Sequence, residues 1–105
     1  MKTIMLVCAA GMSTSLLVTK MREAAKDQNI EADIFANAAS ELDHVIENKN
    51  VDVVLLGPQV KFMKDQIAGK LEPKGIPVES IDMQHYGMMN GVKVLEQANR
   101  IIDNK

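Results

Sequence analysis

The sequence has little of several residue types, and each shortage argues against a class of protein. Among its 105 residues there is one cysteine, there is no tryptophan, and 3% are aromatic. A single cysteine cannot form a disulfide within the chain and makes a cysteine-based zinc site a poor interpretation, whereas it suits a reducing compartment. So few aromatic side chains also argue against a stacking surface for single-stranded nucleic acid.

Charge and hydropathy narrow the choice further. The formal net charge is −2 and the isoelectric point is about 5.6, which argues against nucleic-acid binding through a basic surface. The longest apolar run, residues 4–12, is too short to span a membrane. The chain starts like a signal peptide, but Lys2 is its single basic residue there and the segment is too short. We expect one globular domain over residues 1–105.

Short β-type runs alternate with longer helical patterns along the chain. The expected strands are 3–7, 32–36, 51–56 and 77–81, and the expected helices are 13–28, a second from 40 onward, 59–68 and 87–103. Ser40 is expected to cap the second helix and Gly69 to end the third. The alternation predicts an α/β domain with a four-stranded parallel sheet, flanked by helices on both faces, in strand order 2-1-3-4. This is a flavodoxin-like or Rossmann-like topology.

The predicted topology also locates a binding site. Open parallel sheets bind ligands beyond the carboxyl ends of their strands. Three segments are therefore expected to meet at one edge of the sheet, residues 8–14, 57–59 and 82–87.

The first of these segments has the composition of a phosphate-binding loop. Gly11 allows a close approach of the backbone, and the hydroxyls of residues 13–15 can cap the helix that follows. Open N–H groups at a helix N-terminus bind an anion without any basic side chain. The predicted loop consists of Ala9, Ala10, Gly11, Met12, Ser13, Thr14 and Ser15.

Cys8 stands at the end of the first expected strand, beside this loop. The thiolate is the nucleophilic form of cysteine, and the N–H groups that stabilise it could next hold a phosphoryl group attached to the sulfur. The competing interpretation is a small buried hydrophobic residue that completes a strand. The position of Cys8 at the start of a loop rich in small and hydroxyl residues favours catalysis.

Several other kinds of site need residues that this loop lacks. A nucleotide P-loop needs Gly-Lys, whereas Met12 follows the glycine; a thioredoxin-type pair needs a second cysteine at Gly11. A Cys-x5-Arg phosphatase needs arginine where Thr14 stands. Two alternatives to a phosphocysteine enzyme stay open here. One is a flavodoxin-like module that binds phosphate or a phosphorylated ligand without covalent chemistry, and the other is a phosphatase-like protein without its arginine.

The other two segments contribute weaker candidates. Contact with the phosphoryl group or with a docking partner is a possible role of Pro58, Gln59 and Tyr86. His85 is expected to be a solvated loop residue with no catalytic role. Met88 is expected to pack in the core, and Met12 is the better candidate for a contact surface.

Specific motifs then point to a family. Residues 7–18, Val-Cys-Ala-Ala-Gly-Met-Ser-Thr-Ser-Leu-Leu-Val, resemble the active-site loop of the enzyme IIB components of the lactose/cellobiose (chitobiose) class of the bacterial sugar phosphotransferase system. Residues 53–59 resemble the third strand of that family and the loop after it. Tyr86-Gly87 and Asn90-Gly91 resemble its C-terminal segment. The resemblance covers essentially the whole chain.

The resemblance implies a phosphotransferase with a phosphocysteine intermediate, here on Cys8. The donor would be a phosphohistidine of enzyme IIA, and the acceptor would be a sugar held by the membrane enzyme IIC, with cellobiose or chitobiose as the expected kind of β-linked disaccharide. It implies a cytoplasmic protein that works transiently at the inner face of the membrane. We expect a monomer, because a carrier between two proteins needs a free face. We also expect no cofactor, no metal and no nucleic-acid partner.

Overall fold

A computed structural model describes residues 2–8 and 12–104 of the chain, and it describes Met12 and Ser13 by their backbone alone. The strands are β1 (Lys2–Cys8), β2 (Ala32–Ala38), β3 (Val53–Leu56) and β4 (Val78–Ser80). The α-helices are α1 (Met12–Asp27), α2 (Leu42–Asn48), α3 (Lys64–Leu71), α4 (Met83–Gly87) and α5 (Gly91–Asp103). Shorter 3₁₀ helices are Ala39–Glu41, Pro58–Met63 and Glu72–Lys74.

The four strands form one parallel sheet in the order β2-β1-β3-β4, which confirms the predicted topology. In this register Cys8 lies beside Ala38, Val7 beside Leu56, and Leu56 beside Ser80. The carboxyl ends of all four strands therefore lie at one edge. All four residues of β3 are buried because this inner strand has helices on both of its faces.

Two hydrophobic clusters lie on opposite faces of the sheet. Ile4 and Leu6 of β1 pack in the cluster with α1 and α5, whereas Met5 and Val7 pack in the cluster with α2 and α3. This alternation is the period of two expected of a strand covered on both faces. The inner face of α1 is formed by four buried residues at helical spacing: Leu17, Met21, Ala24 and Ala25.

The prediction of one helix over residues 87–103 was wrong. The chain forms α4 and α5 instead, and Met89 between them has a left-handed backbone with φ of 51°. Asn90 begins the new helix, because its side-chain oxygen accepts a hydrogen bond from the N–H of Lys93 at 3.1 Å. The turn places Met89 partly against the core and leaves Met88 68% exposed, so the expectation that Met88 packs inside was also wrong.

Two expected helix signals were also wrong. Ser40 lies inside a 3₁₀ helix and caps nothing; the carboxylate of Glu41 instead accepts a hydrogen bond from the N–H of Ala38 at 3.2 Å. Gly69 does not end α3, which continues to Leu71. The left-handed turn that follows is made by Gly75, with φ of 80°, a conformation that glycine adopts without strain.

Helix α5 is also attached to the outer side of β4. The side-chain amide of Gln97 donates to the carbonyl oxygen of Ser80 at 2.9 Å, and its oxygen accepts from the N–H of Asp82 at 3.3 Å. One side chain thus bonds both backbone groups at the carboxyl end of this edge strand.

Candidate functional site

Cys8 is the last residue of β1, and its side chain is nearly enclosed. The residue is 2% exposed, and its thiol lies 4.0 Å from the carbonyl oxygen of Asn37 in the neighbouring strand. Helix α1 begins at Met12, shortly after Cys8 in the chain. The first N–H groups of a helix have no partner within it, so the segment after Cys8 leads into a natural anion-binding element.

Most of the predicted phosphate-binding loop lies outside the described residues. This applies to Ala9, Ala10 and Gly11, and to the side chains of Met12 and Ser13. Of the remaining two positions, Thr14 is 1% exposed and Ser15 is exposed. Thr14 therefore points into the protein, and Ser15 points to its surface.

The buried Thr14 contacts a tyrosine that also reaches the second predicted segment. The hydroxyl of Tyr86 on α4 lies 3.4 Å from the Thr14 hydroxyl, and it accepts a hydrogen bond from the side-chain amide of Gln59 at 3.2 Å. Tyr86 is 8% exposed. The structure thus brings together one residue from each of the three segments that the topology placed at this edge.

Gly57 lies beside this contact. The N–H of Gly57 donates to the carbonyl oxygen of Val7 at 2.8 Å, which extends the pairing of β3 with β1 by one residue. A Cβ atom on Gly57 would lie 2.9 Å from the side-chain oxygen of Gln59 and 3.7 Å from the Tyr86 ring. Pro58, half-buried, then begins the 3₁₀ helix that carries Gln59. The sequence placed Gly57 in the second of the three segments expected at this edge.

Asp82 fixes the start of the helix that carries Tyr86. Its carboxylate accepts hydrogen bonds from the N–H groups of Gln84 at 2.9 Å and His85 at 3.3 Å. Residues 82–87 form a capped helix and not the loop expected from the sequence. An aspartate before a short run without proline was an available N-cap signal.

His85 is therefore not the solvated loop residue that was expected. It lies on α4, its side chain is 33% exposed, and its Nδ1 lies 3.9 Å from the Asp82 carboxylate. Within residues 2–8 and 12–104, no group of three or more histidine, cysteine, aspartate and glutamate side chains is placed to hold a metal ion. In the same part of the chain, no helix has the length and apolar character needed to cross a membrane.

Comparison with known proteins decides the family. Residues 3–97 match the family described as "PTS system, Lactose/Cellobiose specific IIB subunit". The chain belongs to this family. This confirms the resemblance carried by the Cys8 segment and by residues 53–59.

Curated relatives cover nearly the full length of the chain. The cellobiose-specific EIIB component of Lactococcus lactis subsp. lactis is 49% identical, and the galactose-specific EIIB component of Lactococcus lactis subsp. cremoris is 48% identical, each over 97% of both chains. The oligo-beta-mannoside-specific EIIB component of Bacillus subtilis is 43% identical over 100% of both chains. Relatives of similar identity thus carry the names of different sugars.

Solved structures support the same assignment. The cellobiose-specific phosphotransferase IIB component from Borrelia burgdorferi is 47% identical, with a TM-score of 0.80 over 99% of this chain and 94% of that one. The lactose-specific IIB component domain from Streptococcus pneumoniae is 17% identical and shares the fold, with a TM-score of 0.83 over 94% of this chain and 95% of that one.

Membership of the family gives the general function of the chain. As a IIB component of the lactose/cellobiose class, the protein is of the phosphotransferase type. It takes part in phosphoryl transfer during sugar uptake and works with other components of the phosphotransferase system.

Proposed function

We propose that Cys8 is the phosphoryl carrier of this IIB component. Cys8 receives the phosphoryl group from a phosphohistidine of enzyme IIA and passes it to a hydroxyl of a sugar held by the membrane enzyme IIC. The observation that carries the proposal is the position of the sulfur. The one cysteine of the chain ends an inner strand and is followed closely by the N-terminus of α1.

Both transfers exchange one bond to phosphorus for another. In the first, the Cys8 thiolate attacks phosphorus, the S–P bond forms, and the P–N bond to the donor histidine breaks. In the second, the sugar oxygen attacks, the O–P bond forms and the S–P bond breaks. Cys8 leaves as the thiolate, and the hydroxyl proton passes to solvent water. The backbone N–H groups of residues 9–15 would hold the phosphoryl oxygens throughout, which is electrostatic stabilisation by a helix N-terminus and loop.

The contact between Thr14, Gln59 and Tyr86 gives these candidate residues a role. We assign to Tyr86 the positioning of the start of α1, because its hydroxyl lies against Thr14 in the first turn of that helix. Gln59 holds the same hydroxyl from the β3 side. Pro58 sets the start of the 3₁₀ helix, since its ring fixes the backbone there. These three residues act on the loop and not on the phosphoryl group.

Exposed apolar side chains beside this edge form the surface that we propose for docking. Phe62 is 83% exposed in the 3₁₀ helix after β3, and Met83 is 63% exposed on α4. Met88, at the end of α4, is exposed as well. Flexible methionine side chains suit a surface that meets two partners in turn. Met12 remains a candidate for this surface, although its side chain lies outside the described residues.

The proposal extends to the setting of the protein. The chain works as one unit over residues 1–105, as a monomer at the cytoplasmic face of the membrane and without a resident cofactor. A β-linked disaccharide such as cellobiose or chitobiose is the proposed sugar class. Because relatives of nearly equal identity carry the names of different sugars, we assign the choice of sugar to enzyme IIC.

The test is phosphoryl acceptance by the variant Cys8→Ser. Serine keeps the shape of the side chain, but its hydroxyl is a far weaker nucleophile near neutral pH. Incubation with phosphorylated enzyme IIA should add one phosphoryl group to the wild-type protein, measured by intact mass, and none to the variant. The variant should keep its thermal unfolding midpoint. Acceptance by Cys8→Ser at the normal rate would exclude Cys8 as the carrier.

The variant Tyr86→Phe tests the positioning role. It keeps the ring and removes the hydroxyl shared by Thr14 and Gln59. Loss of one hydrogen bond that positions the loop should slow phosphoryl acceptance by about 3- to 10-fold. The KM for phosphorylated IIA should stay unchanged, because the docking surface is intact. A purely structural role would instead lower the unfolding midpoint and leave the transfer rate of the folded protein unchanged.

The lifetime of the phosphoprotein separates a carrier from a phosphatase. Thr14 stands where a Cys-x5-Arg phosphatase has the arginine that clamps the phosphoryl oxygens for hydrolysis. We expect labelled phosphoprotein to decay slowly by itself and quickly when IIC membranes and sugar are added. Rapid decay of the isolated protein, with no acceleration by membranes and sugar, would favour the phosphatase-like alternative.

A further inference from the structure

A groove of about 490 Å³ lies between α5 and the carboxyl end of β4. Its volume is within the range of small-molecule sites. Among the described residues of the first segment, Cys8, Thr14 and Ser15 do not line it. Its lining includes Ser80, Asp82, His85, Lys93, Glu96 and Arg100.

Both carboxylates of the groove already have partners. Asp82 accepts the two backbone hydrogen bonds that cap α4, and Glu96 lies 3.7 Å from the ammonium group of Lys93. The guanidinium of Arg100, by contrast, makes no hydrogen bond or ion pair with any of the residues 2–8 and 12–104. Within the described part of the chain, the Arg100 guanidinium is therefore the cation of the groove that has no partner, and it carries five N–H donors.

Two further polar atoms in the groove wall have no hydrogen-bond partner among the described residues. The hydroxyl oxygen of Ser80 and Nδ1 of His85 are shielded from solvent, and neither makes a hydrogen bond within the described part of the chain. Buried polar groups without partners are uncommon in native proteins and are often satisfied by a bound water, ion or ligand. Both residues line the groove.

We propose that this groove binds a small polyhydroxylated phosphomonoester, the chemical class of a sugar phosphate. Arg100 would hold the phosphate through paired N–H donors. Ser80 and His85 would gain the partners they lack, and Glu96 would accept hydrogen bonds from sugar hydroxyls. A sugar phosphate is also the product of the proposed transfer, so the source of the ligand rests on the proposed function, although binding itself does not.

The test is a titration of the unphosphorylated, full-length protein followed by amide chemical shifts in NMR. Glucose 6-phosphate is the probe, and glucose and inorganic phosphate are the comparison ligands. We expect saturable shifts at residues 80–85 and 93–100 with glucose 6-phosphate, weaker binding of inorganic phosphate, and no saturable shifts with glucose. The variant Arg100→Gln should raise the dissociation constant for glucose 6-phosphate by about tenfold or more.

A charge-matched control uses Lys26, an exposed lysine in the last turn of α1. Lys26→Gln should leave the dissociation constant unchanged, because it removes the same charge on another helix and Lys26 does not line the groove. Absence of saturable shifts, or equal affinity in Arg100→Gln and the wild type, would overturn the proposal. Equal affinity for inorganic phosphate and glucose 6-phosphate would overturn the sugar phosphate as ligand class.

The titration tests the groove, and the Cys8→Ser experiment tests the phosphoryl carrier, so either proposal can be rejected without the other. Binding in the groove should be the same in Cys8→Ser, since Cys8 does not line the groove. Loss of binding with normal phosphoryl acceptance would reject the groove alone. Normal binding with acceptance retained in Cys8→Ser would reject the carrier assignment alone.

Discussion

The two faces of the sheet are covered by helices of different construction. On one face, α1 and α5 have 16 and 13 residues, and they pack in a single cluster around Leu17, Met21 and Leu95. On the other face, α2 and α3 have 7 and 8 residues, and each is entered through a 3₁₀ helix. The face with the long helices is the one that includes Tyr86.

The helix starts differ in the same way. Helices α4 and α5 are capped by Asp82 and Asn90, whose side chains accept hydrogen bonds from backbone N–H groups of the first turn. Helices α2 and α3 begin at Glu41 and Met63 without a side-chain cap in the described part of the chain. The helices with side-chain caps thus lie on the face where Tyr86 contacts the first turn of α1. On the opposite face, α2 and α3 pack in the core without such caps in the described part of the chain.

The largest expected effect on this difference comes from Gly91→Ala. A Cβ atom on Gly91 would lie 2.5 Å from the carbonyl carbon of Lys20, so α5 would have to move away from α1. Overpacking of this kind should lower the free energy of unfolding by about 1–3 kcal/mol. The measurement is urea denaturation followed by circular dichroism. An unchanged midpoint would show that the contact between α1 and α5 is looser than the structure indicates.

Strand order and the position of the site were predictable from the sequence because they depend on chain order. Right-handed crossovers between four short strands leave few arrangements, and parallel strands place residues 8 and 57–59 at one edge. The break between α4 and α5 was not predicted, because Leu95 and Ala98 continue a helical stripe that includes Met88 and Val92. The chain nevertheless forms two helices there, because Asp82 and Asn90 each cap a separate helix and Met89 has a left-handed backbone.

The next effect in size is that of Asn90→Ala. Its side-chain oxygen accepts the hydrogen bond from Lys93 that starts α5, and loss of such a cap costs about 1 kcal/mol. Asn48→Ala is the matched control on the other face, since its amide donates to the His44 carbonyl at an exposed helix end. We expect the control to stay within about 0.5 kcal/mol of wild type. Equal losses in the two variants would remove the distinction between the faces.

The smallest expected effect has the opposite sign. Gly69 lies inside α3, and a Cβ atom there would meet nothing within 4 Å. Gly69→Ala should therefore raise the free energy of unfolding by about 0.5–1 kcal/mol, because alanine loses less backbone entropy in a helix. Replacement of glycine by alanine would then stabilise the protein at position 69, on one face, and destabilise it at position 91, on the other. A loss of stability in Gly69→Ala would mean that α3 packs more tightly than this space implies.

The site itself was predictable only in part. The sequence places Cys8 before a loop of small and hydroxyl residues, and these are local features. The contact of Tyr86 with Thr14 and Gln59 joins residues 72 and 27 positions apart, and it depends on side-chain distances of 3.4 and 3.2 Å. No local pattern contains such distances. The sequence named all three residues as candidates, but it could not tell that they meet.

The two hydrogen bonds of Gln97 have a consequence for how molecules of this protein meet one another. The outer strand of an open sheet presents unpaired carbonyl and N–H groups that can template a strand from a second molecule. At the end of β4, the Gln97 amide already occupies the Ser80 carbonyl and the Asp82 N–H. The Gln97 side chain acts there as a short substitute for a fifth strand. It opposes edge-to-edge aggregation at the carboxyl end of β4.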